Sequence, residues 1–214
     1  MVNTKKYLLF SMIALLPCIT WGLFTFISKI SLCSKLDYFL PLRPYFIHRI
    51  GYLINAITFL PLLMIIYKKL FPYSLEAYQK TYIQCSILSV VCLLIGLFIK
   101  TKFWNYILDG GLVSPLIEEI IARFVLYEAR SKGLKIYALV AITSSLSFAL
   151  MHFLYEPSTL LNKSAILPKL NIHAMFGLML CGIFWFFPNL KILIIIHSLS
   201  NLFYTLTHTS KLGL

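Results

Sequence analysis

Charged side chains are scarce in this chain, and acidic ones most of all. Only 12% of the 214 residues are Asp, Glu, Lys or Arg, and only 7 are acidic, whereas 60% are apolar. A soluble domain has roughly 45–50% apolar residues, and runs of about 20 apolar residues recur along this chain. An ordinary soluble domain is therefore excluded. The composition predicts an all-α fold, a polytopic transmembrane helical bundle that forms one membrane domain over residues 1–214.

The few acidic residues stand against 19 Lys and Arg, so the formal net charge is +12. The basic residues lie mostly between the apolar runs, where cations anchor helix ends and meet anionic headgroups. Membrane lipids are therefore expected partners, and nucleic acid is not. The five cysteines have no CxxC or other paired spacing, which indicates small buried side chains and leaves the redox compartment open.

The apolar runs predict about seven membrane-spanning helices, each long enough to cross roughly 30 Å of hydrocarbon. Proline and glycine mark the connections, with Pro157 and Pro168 in the fifth. The Lys and Arg counts on the two sides of the membrane are equal, so the orientation of this predicted multi-pass cell-membrane protein stays open. The predicted spans are 7–30, 46–67, 82–100, 111–128, 135–155, 170–187 and 190–208.

Three charged residues, Glu118, Glu119 and Arg123, fall well inside the fourth predicted span. Each costs at least ~2.5–3.5 kcal/mol at mid-bilayer, so they need partners or a wet cavity. Glu119 and Arg123 are four residues apart and can neutralise each other on one helix face. Glu118 is rotated about 100° from Glu119 and has no cation on its own helix. It is either a functional carboxylate or a structural one bonded to a neighbouring helix.

Three polar residues on other predicted spans can reach a similar depth: His152 in the fifth, and His197 and Asn201, four residues apart, in the seventh. Taken singly, each is explained by a buried histidine bonded to a carbonyl or by an asparagine joining two helices. Together with Glu118 they predict a proteolytic or transport site. His173, at the start of the sixth span, is left outside this predicted site.

Several known protease chemistries lack their signatures here. The sequence has no HExxH, no paired transmembrane aspartates and no GxSG-like serine in a span. Peptide hydrolysis would then need an activated water and donors for the oxyanion. Glu118 and His152 can share the first task, since a carboxylate in a low-dielectric cavity is a better base than one in bulk water. His197 and Asn201 can supply the N–H donors.

A metal offers a second way to activate water, because a carboxylate and two imidazoles can bind zinc with one position left open. Glu118, His152 and His197 would be the ligands. The metal-free site is the favoured interpretation, so no cofactor is expected, and the zinc variant stays open.

Three motifs carry a resemblance to a known family. Residues 118–123 read EEIIAR, residues 148–152 read FALMH and residues 197–201 read HSLSN. These match the EExxxR, FxxxH and HxxxN motifs, in that order, and the chain resembles the CAAX prenyl protease and bacteriocin-processing (Abi) family of intramembrane endopeptidases. The resemblance covers residues 111–204, the predicted motif-bearing catalytic core, and none of the first three spans.

The resemblance implies a glutamate-dependent endopeptidase that hydrolyses a peptide bond in a membrane-associated peptide or protein. Glu118 and His152 would activate water, and His197 and Asn201 would stabilise the oxyanion. The implied site-supporting residues are Glu119, Arg123 and Phe148.

Relatives in this family act in CAAX protein processing, in leader or pheromone peptide cleavage and in bacteriocin immunity, and some are described as metalloproteases. The substrate, the cleavage site, the metal requirement and the oligomeric state therefore stay open. The main alternative is a non-catalytic immunity or partner-binding membrane protein of the same fold. A small proton-coupled transporter is a further alternative, although no inverted repeat supports it.

Overall fold

The computed structural model describes residues 4–13, 46–71, 76–96, 98, 104, 107–155 and 163–208. Within these ranges the regular structure is entirely helical and contains no strand, which confirms the all-α class for this part of the chain. A π-helical turn, Asp109–Val113, precedes α4. The helices are α1 (Thr4–Ile13), α2 (Phe46–Leu70), α3 (Glu76–Gly96), α4 (Ser114–Arg123), α5 (Leu126–Ser131), α6 (Leu134–Tyr155), α7 (Lys163–Phe186) and α8 (Leu190–His208).

Three helical segments are long and apolar enough to cross a membrane: Gln79–Gly96, Ile166–Phe186 and Leu190–Thr207. Leu134–Leu150 in α6 is a shorter apolar helix. These helices expose large apolar side chains, such as Ile87, Met175 and Phe203. Helices that are apolar on their outer face are matched to lipid rather than to water. The chain is therefore a membrane protein.

The predicted helix limits hold well for α2, α6 and α8 and less well elsewhere. The rest of the first predicted span, beyond Ile13, lies outside the described residues. α3 begins and ends several residues before the predicted 82–100. α7 begins at Lys163, so the prediction that Pro168 lies in a connection is wrong. A proline near the start of a helix removes one bond to the carbonyl four residues earlier, and the helix continues past it.

The fourth predicted span, 111–128, is not one continuous helix. It consists of the π-helical turn, α4 and α5, with a turn at Phe124 and Val125 where the Tyr127 N–H bonds the Phe124 carbonyl at 3.4 Å. α4 has ten residues and extends only about 15 Å. Every residue from Pro115 to Arg123 is buried. Protein therefore surrounds this short helix and replaces the lipid that its charged residues would otherwise meet.

α4 lies at the centre of the described helices. It contacts α3, α6 and α8, while α6 packs along α7 and α2 packs along α3. Two close contacts position α7 and α8. Leu202 of α8 lies directly against Gly111 in the π-helical turn, and Ser145 of α6 lies against Gly177 of α7. Side chains on α6 and α8 are thereby directed at the face of α4 that carries Glu118 and Glu119.

Aromatic rings pack around the C-terminal end of α4. The Phe124 ring lies 4.4 Å from that of Tyr67 and 4.8 Å from that of Tyr82, between ring centroids. Tyr127 continues the group to Phe184 of α7, at 4.7 Å. All five side chains are buried. We call Tyr67, Tyr82, Phe124, Tyr127 and Phe184 the aromatic cluster; it joins α2, α3 and α7 to the end of α4.

Candidate active site

Glu118 lies in the middle of α4 and is 1% exposed. Its Oε1 accepts a hydrogen bond from the Ser114 hydroxyl, one turn earlier on the same helix. Its Oε2 lies 3.4 Å from His152 Nε2 and 3.7 Å from His197 Nε2, and accepts no hydrogen bond from the described residues. The structure thus brings two of the other three predicted catalytic side chains, His152 and His197, close to one carboxylate oxygen of Glu118.

His152 is oriented by its own helix. Its Nδ1 lies 2.9 Å from the Phe148 carbonyl oxygen, on the preceding turn of α6. Because a carbonyl oxygen only accepts, Nδ1 carries the proton of this bond, and Nε2 of a neutral ring is then the acceptor. That Nε2 faces Glu118. The side chain of His152 is 20% exposed, against 2% for Glu118, so His152 lies between the carboxylate and the more accessible space.

A second carboxylate holds His197. Glu119 Oε1 lies 2.8 Å from His197 Nδ1, and Glu119 Oε2 lies 3.3 Å from Arg123 Nε. The pairing of Glu119 with Arg123 confirms the interaction expected from their spacing, whereas the bond to His197 was not predicted. Through that bond the Nδ1–H of His197 is directed at Glu119, and its Nε2 is turned toward Glu118.

Arg123 completes this buried network on the side of α6. Its Nη1 donates to Ser144 Oγ at 2.7 Å, and the Ser144 hydroxyl donates to the Ala122 carbonyl. Its guanidinium carbon lies 4.8 Å from the centre of the Phe148 ring. Phe148 therefore contacts Arg123 through its ring and His152 through its carbonyl. We call Glu118, Glu119, Arg123, Ser144 and His197 the polar cluster.

A cavity of about 470 Å³ opens beside these side chains, between α6, α7 and α8. His152 and His197 form part of its wall, while the Glu118 carboxylate lies behind them. The wall combines apolar, aromatic and polar groups, as ligand pockets do. Its lining residues are Phe148, His152, Lys169, Ile172, His173, Phe176, His197, Ser200, Asn201 and Tyr204.

Asn201, the fourth predicted catalytic residue, lies in the same wall but is held differently. Its Nδ2 donates to the Gly110 carbonyl in the π-helical turn, at 2.8 Å. An amide group has two N–H donors, so one is directed to the backbone and one is left for the cavity. The bond also ties α8 to the segment that leads into α4.

Two residues of the cavity, His173 and Lys169, are absent from the predicted site. The His173 ring stacks on that of His152, with centroids 4.0 Å apart and planes 20° apart. Lys169 lies one turn earlier on α7. Lys169, Ile172, His173 and Phe176 have the spacing of one helix face, but that spacing does not indicate that this face lies toward α6.

The zinc alternative requires a cluster of suitable ligands. Among the residues that the structure describes, no group of three or more His, Cys, Asp or Glu side chains is arranged to hold a metal ion. Glu118, His152 and His197 are among these described residues.

A family model described as Type II CAAX prenyl endopeptidase Rce1-like matches residues 100–203. The matched segment includes Glu118, His152, His197 and Asn201. No curated protein and no solved structure matches the chain.

Proposed function

The chain belongs to the type II CAAX prenyl endopeptidase family, and from this premise we propose that it is a glutamate-dependent intramembrane endopeptidase. The match of residues 100–203 to this membrane protease family supports a peptidase. In our proposal it crosses the cell membrane about seven times as one domain, 1–214, with 111–204 as its catalytic core. Its substrate is a peptide or protein within or at the membrane.

One observation carries the proposal. A buried carboxylate oxygen, Glu118 Oε2, has no hydrogen bond among the described residues, and the acceptor nitrogen of His152 lies 3.4 Å away beside a cavity. An unsatisfied buried carboxylate oxygen is costly, and most buried polar atoms avoid that state. A water molecule that enters from the cavity with a small movement of the His152 side chain would bond to both groups and satisfy each of them. The same water would be positioned and polarised for attack on a carbonyl.

Hydrolysis then follows in two steps. The water oxygen bonds to the scissile carbonyl carbon, and its proton passes to the Glu118 and His152 pair, which acts as general base. The tetrahedral intermediate collapses when the C–N bond breaks and the same proton passes to the leaving amine. The products are a carboxylic acid and an amine, the acid then ionises by giving its proton to the amine or to water, and the enzyme returns to its starting protonation state.

His197 and Asn201 stabilise the oxyanion in this scheme. Nδ1 of His197 is engaged by Glu119, so only Nε2 can reach the substrate, and it is a donor when the ring is protonated. Asn201 contributes the N–H that is not bonded to Gly110. Glu119, Arg123 and Phe148 position these groups. Loss of one oxyanion donor costs about 10²–10³ in rate in a well-studied protease.

Comparative peptidomics of cells that carry the wild type or Glu118→Gln tests the proposal and finds the substrate. We expect cleavage products to fall by about 10²–10⁴ in Glu118→Gln, because general acid–base catalysis contributes about that factor. Glu128→Gln is the matched control, since Glu128 lies outside the cavity and accepts a hydrogen bond from the Tyr67 hydroxyl at 3.2 Å.

Unchanged products in Glu118→Gln at equal membrane abundance would refute the mechanism. Retention of a protective effect without cleavage would support the immunity or partner-binding alternative.

The metal-free form of the mechanism has its own test. The purified enzyme is treated with EDTA and with 1,10-phenanthroline, and cleavage of the substrate found by peptidomics is measured. We expect full activity after metal removal. Loss of activity that zinc restores would replace the glutamic mechanism with a zinc site on Glu118, His152 and His197.

A further inference from the structure

We propose that Ser114 is a positioning residue for the Glu118 carboxylate. Its hydroxyl holds Oε1, so that Oε2 is the oxygen that faces His152 and His197. The inference rests on the proposed peptidase function, because it concerns how the carboxylate of that site is oriented. Ser114 belongs to none of the three sequence motifs, and its role follows from the hydrogen bonds of the segment that leads into α4.

The Glu118 carboxylate has few groups that can fix its orientation. Its side chain has three rotatable bonds, and the last of them, which turns the carboxylate plane, has only a broad preference. Among the described residues, the Ser114 hydroxyl is the only hydrogen-bond donor to this carboxylate. Nε2 of His152, at 3.4 Å from Glu118 Oε2, is an acceptor in the neutral ring and does not hold the carboxylate. The orientation of Glu118 therefore depends on Ser114.

The hydroxyl of Ser114 is directed differently from that of other helical serines in the chain. A serine inside a helix can donate to the carbonyl four residues earlier, and Ser86 of α3 does so at 2.8 Å. For Ser114 the equivalent acceptor is the Gly110 carbonyl, which accepts Asn201 Nδ2 at 2.8 Å. The Ser114 hydroxyl donates to Glu118 instead.

The π-helical turn explains why Asn201 bonds to Gly110. The Ser114 N–H donates to the Asp109 carbonyl, five residues earlier. The next residue, Pro115, has no N–H with which to bond the Gly110 carbonyl in the same way. The Asn201 amide satisfies that carbonyl and competes with the Ser114 hydroxyl for it. The turn, the proline and the asparagine together leave the hydroxyl for Glu118.

Ser114 acts through Glu118 and not on the substrate. It is half-buried at the start of α4 and is not among the residues that line the cavity. Removal of its hydroxyl would leave the cavity wall intact and allow the carboxylate to turn away from His152. We therefore expect a lower kcat and an unchanged KM.

Ser114→Thr and Ser114→Val separate the effect of the hydroxyl from that of side-chain shape, because threonine and valine are nearly isosteric. Cleavage of the substrate found by peptidomics is measured per folded molecule. We expect Ser114→Thr to keep a kcat close to that of the wild type. In Ser114→Val, and in Ser114→Ala, which adds no volume, kcat should be about tenfold lower, the scale of one hydrogen bond to a charged group. KM should be the same in all three.

Ser86→Thr and Ser86→Val are the matched control pair. Ser86 is a half-buried helical serine, as Ser114 is, but its hydroxyl bonds a backbone carbonyl and it does not line the cavity. The two Ser86 variants should have equal kcat and equal KM.

An infrared measurement tests the contact without cleavage. The protein is held in nanodiscs and carries isotope-labelled glutamate, with the heavy carbon in the side-chain carboxyl group, which moves the glutamate bands away from those of aspartate. The difference spectrum between Ser114→Val and Ser114→Thr should contain a shifted carboxyl stretching band, because a hydrogen bond changes that frequency. The band should be absent when both variants also carry Glu118→Gln, and the Ser86 pair should show none.

Equal kcat in Ser114→Thr and Ser114→Val, or a difference spectrum without a Glu118 band, would overturn the role of Ser114. If Glu118→Gln has then lost cleavage, the peptidase stands and only its positioning residue is refuted. If Glu118→Gln instead has unchanged products, the peptidase is refuted and Ser114 has no catalytic role, whatever the infrared spectra show.

Discussion

The polar cluster and the aromatic cluster are centred on consecutive parts of one buried stretch of chain, residues 118–123 and 124–127, and they differ in whether their polar atoms have hydrogen-bond partners. In the aromatic cluster, the Tyr82 hydroxyl donates to the Leu60 carbonyl at 2.6 Å, and the Tyr127 hydroxyl accepts the Leu190 N–H at 2.9 Å. In the polar cluster, Glu118 Oε2 and Arg123 Nη2 are buried and have no hydrogen bond among the described residues.

The difference separates stabilisation from function. Rings that bury apolar area and bond their hydroxyls to backbone groups lower the free energy of the fold on both counts. Charged groups that are buried and only partly bonded cost free energy and are kept where a protein uses them. We therefore expect substitutions in the aromatic cluster to reduce stability alone, and substitutions in the polar cluster to reduce activity, with or without stability.

The largest effect is expected from Arg123→Met in the polar cluster. It leaves Glu119 without its cation at 3.3 Å and Ser144 without its donor. Breaking a buried ion pair costs roughly 3–5 kcal/mol. Because Glu119 also bonds His197, cleavage per folded molecule should fall as well. The free energy of unfolding from SDS titration in mixed micelles, together with cleavage of the identified substrate, measures both.

Arg130→Met is the control for this charge loss. Arg130 is exposed and donates from Nε to the Trp185 carbonyl at 2.9 Å, so its removal should cost about 1 kcal/mol or less. If Arg123→Met and Arg130→Met are equally stable, the ion pair of Arg123 with Glu119 contributes little to stability. The expected difference between the two clusters would then be wrong.

Phe124→Leu in the aromatic cluster should cost less stability and no activity. The Phe124 ring contacts those of Tyr67, Tyr82 and Tyr127, and an aromatic pair contributes about 0.5–1.5 kcal/mol beyond burial. Leucine retains most of the apolar area, so we expect a loss of about 2–3 kcal/mol in the same titration. Cleavage per folded molecule should match the wild type. A specific loss of cleavage would show that the two clusters are coupled through α4.

The polar cluster was more accessible to sequence reasoning than the aromatic one. Charges inside an apolar run are conspicuous, and helical spacing alone separated Glu118 from the pair of Glu119 and Arg123. The aromatic cluster draws on α2, α3, α5 and α7, and tyrosines and phenylalanines are common throughout the chain. Nothing in their spacing indicates which rings meet around Phe124.

The sequence also leaves the inward face of an apolar helix undefined. α7 is apolar nearly all round, so its pattern does not show which face meets α6. The contact of His173 with His152 and the place of Lys169 in the cavity follow from that packing. The division of 111–128 into a π-helical turn, α4 and α5 is likewise decided by tertiary contacts, since an unbroken helix satisfies the same apolar pattern.

The smallest effect is expected at two glycines of α7, Gly177 beside the polar cluster and Gly182 on the exposed surface of the helix. A Cβ at Gly177 would lie 3.0 Å from Arg123 Nη2 and 3.2 Å from the Ser145 backbone, whereas a Cβ at Gly182 would have no atom within 4 Å. Gly177→Ala should therefore push α7 away from α6 by a few tenths of an ångström and cost about 1–2 kcal/mol. His173 is one turn from Gly177, so cleavage should fall too.

Gly182→Ala is the matched control, because Gly182 is exposed and helical. This variant should be neutral or stabilising by up to about 1 kcal/mol, with full cleavage. If Gly177→Ala and Gly182→Ala have the same free energy of unfolding and the same cleavage per folded molecule, the close packing of α7 against Arg123 is not needed to hold the cavity wall in place.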